Sequence, residues 1–279
     1  MKIYRNFESM PFIGKAVVTV GTFDGVHVAH RAILEEVIRA AKDVRGKSMV
    51  VTFTLPPKMV INSQSQEKVL LGITDKNLLF QKIGIDFVVY IDFTPTFANT
   101  NYSDFIKNLT SKIDIQRFVV GYNHSFGKNK AGDATKLLKM KALYGYEVDV
   151  VPQKRAYCKP YRLKLKVSSS AIRAAISKGD FIAANVSLGY DYHLSIRIIC
   201  CAEEYIIAKL LEAMKVHPPE GVYEVKINDI KTILKIDTDE VICIKNNNIT
   251  LTKGETLPVY FLKKCEQYAP FPATSDLPR

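Results

Sequence analysis

One stretch near the start of the chain combines a buried strand, a tight turn and a helix. Residues 17–20 read Val-Val-Thr-Val, a β-branched apolar run typical of a strand that is buried on both faces. Gly21 and Gly25 mark a turn, and apolar residues then recur at helical spacing from Val26 onward. A strand that passes through a glycine turn into a helix predicts an α/β domain with a parallel sheet.

The turn has the chemistry of an anion site. The first turn of a helix leaves backbone N–H groups without partners, and glycines let the backbone approach a ligand. His27 and His30 are three residues apart, so a helix that begins by Val26 places both imidazoles on one face, where they can donate hydrogen bonds to a phosphate.

Three other interpretations of this turn stay open. The histidines could be metal ligands, although no neighbouring Cys, Glu or third His completes a familiar spacing. They could also be surface residues, or the turn could close the strand without binding anything. Neither a Walker loop nor a Gly-x-Gly-x-x-Gly motif is present in this stretch.

Four segments carry a resemblance to a known family. Gly21-Thr-Phe-Asp-Gly-Val-His-Val-Ala-His30 is similar to the Gly-x-Phe-Asp-Gly-Val-His-x-Gly-His signature of nucleotidylyl transferases, in the form found in prokaryotic FAD synthetases. Residues 51–57, 119–133 and 167–173 resemble further segments of the same family in the same order. The resemblance implies a Rossmann-like nucleotidylyl transferase domain.

The resemblance implies an activity and a set of site residues. The reaction would be transfer of AMP from ATP to FMN, giving FAD and pyrophosphate, with Mg²⁺ bound through the phosphates and Asn123 nearby. Catalytic roles are implied for His27, His30 and Arg173. ATP binding is implied for Gly21, Thr22, Phe23, Asp24, Gly25, His27, His30, Ser168, Ser169, Ser170 and Arg173. Flavin binding is implied for Phe53, Asn123, Phe126 and Gly127.

Two positions depart from the family pattern. Ala29 stands where the signature has Gly, and Pro56 stands where relatives usually have a His. Together with the altered C-terminal region, these departures leave open a catalytically impaired protein that binds flavin or nucleotide. An enzyme of the same superfamily with another acceptor is a separate alternative.

The residues of the later segments have simpler explanations as well. The stretch 121–133 contains an amide, an aromatic ring and two lysines, which suit a flat phosphorylated ligand but also a mobile basic surface loop. Ser168 or Ser169 could cap the following helix without any ligand. Arg173 would lie near that helix N-terminus, where a cation is unfavourable unless an anion is bound.

The remaining elements of the first domain follow from apolar periodicity. Residues 1–15 predict a lead-in with an edge strand. Further strands are predicted at 49–53, 86–91, 117–121 and 147–151. Helices are predicted at 76–82 after a Thr74–Asp75 cap, near 102 with Ser103 as cap, at 134–143 and at 180–185.

Residues 195–279 have a different pattern, and we predict a domain boundary between 1–194 and 195–279. Short strand-like runs predict a small antiparallel barrel or sandwich. They are 195–201, 221–227, 232–236, 241–245, 249–252 and 258–262. Apolar spacing predicts a helix over 203–216. The region resembles a riboflavin kinase domain without its Gly-x-Pro-Thr-Ala-Asn segment, so it is expected to lack kinase activity, with full bifunctionality as an alternative.

Composition favours small phosphorylated substrates in the cytoplasm. The net charge is +11, but the basic residues are scattered, so no nucleic-acid partner is expected. No apolar run is long enough for a membrane span or a signal peptide. The five cysteines have no metal-like spacing and suit a reducing compartment, so a cytoplasmic protein is expected.

Overall fold

A computed structural model gives the architecture of this chain as two compact units, residues 1–154 and 155–279. The residues that it describes are 1–62, 67–160, 162–237, 241–267 and 271.

The first unit alternates strands and helices. Its strands are β1 (Lys2–Arg5), β2 (Ile13–Val20), β3 (Lys47–Phe53), β4 (Phe87–Ile91), β5 (Ile113–Gly121), β6 (Ser125–Phe126), β7 (Gly132–Asp133) and β8 (Glu147–Val151). Its helices are α1 (Val28–Asp43), α2 (Pro57–Ile61), α3 (Ile73–Ile83), α4 (Pro95–Ala98), α5 (Tyr102–Lys112) and α6 (Ala134–Tyr144).

Six of these strands form one parallel sheet in the order β1-β4-β3-β2-β5-β8. The predicted parallel sheet and the N-terminal edge strand are therefore confirmed. The chain runs from β2 to β3 and β4 on one side, then crosses to β5 on the other side of β2. This reversal places a topological switch point at the carboxyl ends of β2 and β5.

Alternate residues of β2 face different layers, as expected for a strand covered on both sides. Val18 and Val20 belong to a core that includes Phe105 of α5 and Leu137 of α6. Val17 packs in a second core built largely from residues of α1. Helices on both faces explain why the strands read as continuous apolar runs.

Several predicted helix starts shift by a few residues. Helix α1 begins at Val28 rather than Val26, with His27 as its N-cap. Helix α3 begins at Ile73, before the predicted Thr74–Asp75 cap, and follows Gly72. Helix α5 begins at Tyr102 with Asn101 in the N-cap position, so Ser103 is not its cap. The predicted start near Tyr102 is confirmed, whereas its cap and the starts of α1 and α3 were wrong, because the extended backbone of the preceding residue, set by tertiary packing, decides where a helix begins.

The second unit contains a hairpin, two helices and a barrel. Its strands are β9 (Arg155–Cys158), β10 (Leu163–Lys166), β11 (His193–Cys201), β12 (Tyr205–Leu210), β13 (Gly221–Ile227), β14 (Ile230–Ile236), β15 (Val241–Lys245) and β16 (Thr256–Lys264). Its helices are α7 (Ser169–Ile176) and α8 (Phe181–Leu188). The antiparallel barrel closes in the order β11-β12-β15-β14-β13-β16, which confirms the predicted barrel-like C-terminal region.

Two predictions in the barrel region were wrong. The segment 203–216 contains strand β12 instead of a helix, and residues 249–252 are not a strand. Strand β12 pairs with both β11 and β15, and its consecutive residues Ile206, Ile207 and Ala208 are all buried. A run buried on every side satisfies helical spacing as well as strand spacing, so periodicity alone does not separate the two.

Helix α8 packs against the barrel. The ring of Phe181 stacks on Phe261 of β16 at 4.8 Å between centroids. The Asn185 amide donates to the Phe261 carbonyl at 2.8 Å and accepts from the Tyr192 N–H at 2.9 Å. The predicted functional boundary between residues 194 and 195 stays a prediction. The chain divides into its two compact units after residue 154, but a compact unit need not coincide with a functional domain.

Two observations bear on the environment of the chain. All five cysteines are free thiols. Among the described residues, every helix is too short or too polar to cross a membrane.

Candidate functional site

The glycine turn lies at the switch point of the sheet. It follows β2 and leads into α1, while a second loop follows β5 at the same edge. The end of β5 packs against α1, since a Cβ on Gly121 would lie 3.2 Å from Ile33 Cδ1. Open α/β sheets bind ligands in such a crevice outside the carboxyl ends of their strands.

Hydrogen bonds from other parts of the first unit hold the backbone of the glycine turn in place. The Thr22 carbonyl accepts hydrogen bonds from Thr52 Oγ1 at 3.1 Å and from Lys76 Nζ at 3.2 Å. Asp24 is buried, and its carboxylate accepts from the Leu70 N–H at 2.9 Å. Phe23 adopts a positive φ of 49°. A non-glycine residue in this conformation is strained, and such strain is typical of functional turns.

The two histidines are stacked at the start of α1. Their ring centroids are 3.5 Å apart, with 13° between the ring planes. His27 Nδ1 accepts from the His30 backbone N–H at 3.3 Å, so neutral His27 carries its proton on Nε2. Nδ1 of His30 is buried without a hydrogen-bond partner among the described residues. The predicted pairing of the two imidazoles is therefore present, with His27 as cap rather than inside the helix.

Burial keeps both imidazoles neutral. It lowers the pKa of His27 to about 4, and a backbone hydrogen bond offsets only part of this effect. The pKa of His30 is lowered well below its usual value, first by burial and then by repulsion from His27 and Lys76. At neutral pH the pair can donate ring N–H groups but carries no charge.

The second loop presents an amide beside a buried ring. Asn123 is exposed, whereas Phe126 is buried and its ring stacks on His124 at 5.4 Å. Gly127 has φ +71°, and a Cβ there would lie 2.7 Å from the Tyr102 backbone nitrogen. The glycine therefore allows the loop to approach the start of α5. Asp133 caps α6 by accepting from the Lys136 N–H at 2.8 Å.

Aromatic rings cluster at the carboxyl ends of β3 and β4. Phe53 contacts Phe93 and Phe97 edge to face, at 5.4 and 6.2 Å between centroids. Phe93 and Phe97 contact each other at 5.6 Å. Sequence reasoning identified Phe53 but missed the other two rings. The Asp92-Phe-Thr-Pro95 turn after a predicted strand was the available signal, because it ends at the same sheet edge.

Lys76 is a second residue that sequence reasoning missed. It lies on α3, is only 5% exposed, and reaches the Thr22 carbonyl of the glycine turn. Its position four residues before the buried Phe80 places it on the apolar face of the helix. A lysine on the inward face of an amphipathic helix was the signal that could have found it.

The serine and arginine segment lies in the second unit. Ser168 caps α7, because its Oγ accepts from the Ala171 N–H at 3.2 Å, which confirms the capping interpretation. Arg173 is the fifth of the eight residues of α7 rather than at its N-terminus, so the expected conflict with the helix dipole does not arise.

The described residues hold no group of three or more His, Cys, Asp or Glu side chains placed to bind a metal ion.

Several curated proteins are similar to much of this chain. A protein of Listeria monocytogenes named bifunctional riboflavin kinase/FMN adenylyltransferase is 32% identical over 177 residues, which are 63% of this chain and 54% of that protein. Proteins with the same name from Buchnera aphidicola and Escherichia coli are 26% and 27% identical. Those matches cover 82% and 81% of this chain, and 74% and 73% of the relatives. The chain thus matches only about half of the Listeria protein.

One solved structure resembles the whole chain. A crystal structure entitled macrolide-efflux protein from Streptococcus pneumoniae has a TM-score of 0.83 and covers 99% of this chain and 94% of its own. At 21% identity, this likeness shows the fold alone.

The sequence model of the FAD synthetase family matches residues 10–170, which include β2, the glycine turn, the stacked histidines and the second loop. This match covers more than half of the 279 residues, and the chain therefore belongs to the FAD synthetase family.

Proposed function

We propose that this protein transfers AMP from ATP to FMN, giving FAD and pyrophosphate. The observation that carries the proposal is the family's signature turn, folded at the switch point of the sheet with His27 and His30 stacked at the start of α1. Family membership and the names of the relatives support the same reaction.

The histidines suit phosphate binding better than proton transfer. An FMN phosphate oxygen is ionised at neutral pH, so it can attack the α-phosphorus of ATP in line without a general base. A His27 pKa of about 4 is too low for a general acid at neutral pH. Because His27 Nδ1 already accepts a hydrogen bond, Nε2–H is left to donate to an oxygen of the α-phosphate.

The aromatic cluster supports a flat acceptor. Phe53, Phe93 and Phe97 lie at the edge of the sheet where the glycine turn also lies. Aromatic faces stack well on a flat ring system such as isoalloxazine. We assign this cluster to the flavin side of the site, with Asn123 as a polar contact, while the buried Phe126 and Gly127 shape the second loop.

Other parts of the ATP site rest on the family resemblance. Ser168, Ser169, Ser170 and Arg173 would bind the phosphate chain, and a variant Arg173→Ala tests this role through the KM for ATP. Mg²⁺ bound to the phosphate oxygens would offset their negative charge, with Asn123 as a candidate ligand from the chain. The free thiols support a reducing, cytoplasmic location.

The first experiment measures FAD formation from ATP and Mg²⁺ with either FMN or riboflavin. FAD is expected from FMN and not from riboflavin. His27→Ala should lower kcat/KM by about 10²- to 10³-fold, as for the loss of one donor to a developing oxyanion. His27→Asn separates chemistry from folding, because asparagine can still cap α1 but lacks the ring N–H.

The control variant is His193→Ala, which changes a histidine of β11 in the second unit. It should keep wild-type kcat/KM. If wild-type protein binds FMN but forms no FAD, the proposal fails, and the alternative of a catalytically impaired flavin binder with Ala29 as its cause takes its place.

A further inference from the structure

A buried lysine beneath the glycine turn has no role in the reaction as described above. Lys76 is 5% exposed, and its Nζ lies 3.2 Å from the Thr22 carbonyl oxygen and 5.7 Å from the centroid of the Tyr90 ring. Burying an ammonium group costs free energy unless partners compensate for its lost hydration. A lysine at such a position supplies a charge and hydrogen-bond donors that an apolar side chain cannot.

The peptide group between Thr22 and Phe23 connects this ammonium to the opposite side of the turn, where we propose that phosphate binds. A trans peptide group is planar, with its C=O and N–H on opposite sides. Lys76 and Thr52 both donate to the Thr22 oxygen, so the Phe23 N–H of the same peptide points to the opposite side. Two donors thus fix the orientation of a peptide in the strained part of the turn.

The charged and titratable groups around Lys76 come from several elements. Asp24 in the turn attracts the ammonium, and His30 of α1 is repelled by it. Tyr90 of β4 presents its ring face, donates its phenol hydrogen to Asn77 and keeps its proton, because burial raises the pKa of the phenol. Asp75 is the neighbouring acid on α3 itself.

These surroundings bring the pKa of Lys76 much closer to neutral pH than that of an exposed lysine. Burial lowers the pKa of Lys76 to about 8, and attraction from Asp24 offsets part of this effect. A negatively charged ligand nearby would favour the charged form and raise this value again. By linkage, the protonated lysine would then favour binding of the same anion.

We propose that Lys76 is a positioning residue that couples binding of the ATP phosphate chain to its own protonation. Its ammonium holds the Thr22 peptide in the orientation that binds phosphate and adds a positive charge beneath the turn. Above neutral pH, ATP binding draws a proton from solvent onto Nζ. This inference rests on the proposed ATP site, but it concerns a residue and a proton that the transfer of AMP does not require.

The test is calorimetric titration of wild-type protein with ATP and Mg²⁺, without FMN, in buffers of different ionisation enthalpy. A rise of about one unit in the lysine pKa corresponds to uptake of about half a proton near pH 8.5 and to about tenfold tighter binding of ATP by the protonated form. Near pH 6.5, where Lys76 is already charged, no uptake is expected from this residue.

Variants then assign the proton. Lys76→Met should abolish the uptake near pH 8.5 and weaken ATP binding near pH 6.5 by about tenfold. Its KM for ATP should rise more than its kcat falls. Lys82→Met removes an exposed lysine from the same helix and should behave as wild type.

Two results would overturn the inference: wild-type protein that binds ATP without proton uptake near pH 8.5, or a Lys76→Met variant with unchanged uptake. Absence of proton uptake in the wild-type protein overturns the inference even if the variant does not fold. FAD formation from FMN is measured separately, so failure of this coupling and failure of the proposed reaction are distinguishable.

Discussion

Single residues at the glycine turn and the second loop hold backbone conformations that most side chains avoid. Phe23 and Val26 have positive φ values of 49° and 35°, and the buried Asp24 carboxylate ties the turn to the Leu70 N–H. The residues that the signature places in ATP binding thus also hold the turn in shape. A variant in this segment is therefore expected to change stability as well as the proposed activity.

Gly127 gives a test of the second loop. Gly127→Ala should destabilise the fold by about 1–3 kcal/mol, because alanine is strained at φ +71° and its Cβ would lie 2.7 Å from the Tyr102 nitrogen. The measurement is the midpoint of urea unfolding. Gly14→Ala is the matched control, since a Cβ there meets nothing within 4 Å, and it should change the midpoint little. Equal midpoints for the two variants would contradict this account of the loop.

At the scale of elements, one amide of helix α8 bonds to three groups beyond the helix. Asn185 donates to the Phe261 carbonyl and to Asp191 Oδ1, and it accepts from the Tyr192 N–H. Asn185→Ala should therefore lower the free energy of unfolding by about 2–3 kcal/mol, through lost hydrogen bonds and unpaired backbone groups. Chemical denaturation measures this loss.

The control for that variant is Asn247→Ala. Asn247 is exposed and donates one long hydrogen bond of 3.3 Å to the Lys231 carbonyl. Its removal should cost only a few tenths of a kcal/mol. If both variants lose the same free energy, the amide of Asn185 does not fasten α8 to the barrel.

The segment between β12 and β13 bears on the expected lack of kinase activity. Lys215 is buried there, with its Nζ 3.3 Å from Glu212 Oε2 and 5.7 Å from the Tyr192 ring centroid. The Glu212 carboxylate also accepts from the Ser195 N–H. Glu212 is thus engaged by internal donors, while the expected lack of kinase activity rests on the missing Gly-x-Pro-Thr-Ala-Asn segment.

We therefore predict that riboflavin and ATP give no FMN with this protein. The measurement is chromatographic detection of FMN after incubation with ATP and Mg²⁺. A riboflavin kinase of established activity, assayed in parallel, is the positive control. FMN formation at a comparable rate would instead establish the bifunctional alternative.

At the scale of the whole molecule, acid should destabilise the fold through its buried histidines. Burial lowers the pKa of His27 and His124 to about 4 from an ordinary value of 6.5, and it lowers that of His30 as well. Between about pH 4 and 6.5 the unfolded chain binds protons that the folded chain does not, so stability falls as pH falls through this window.

This prediction is measured as Tm between about pH 7 and pH 5 at constant ionic strength. His124→Phe keeps a ring against Phe126 but removes one titrating group, so its Tm should fall less steeply than that of wild type. Carboxylates contribute equally to both proteins and cancel in the comparison. Parallel Tm curves would show that His124 is not a source of the acid sensitivity.

The linear sequence by itself determined the parallel sheet, most of its strands, the glycine turn and the pairing of His27 with His30. It could do so because strands buried on both faces are continuous apolar runs, and because the turn and its histidines are neighbours in the chain.

Only the tertiary structure decided the conformation of residues 203–216, the burial of Lys76 and the rings that surround Phe53. Strand β12 exists because β11 and β15 supply its hydrogen-bond partners, which local periodicity does not contain. Lys76 donates a hydrogen bond to Thr22, which lies 54 residues earlier in the chain. The ring of Phe93, which follows β4, contacts the ring of Phe53 at the end of β3. Such contacts form between segments distant in the chain, where the energy of pairing and burial overrides local preference.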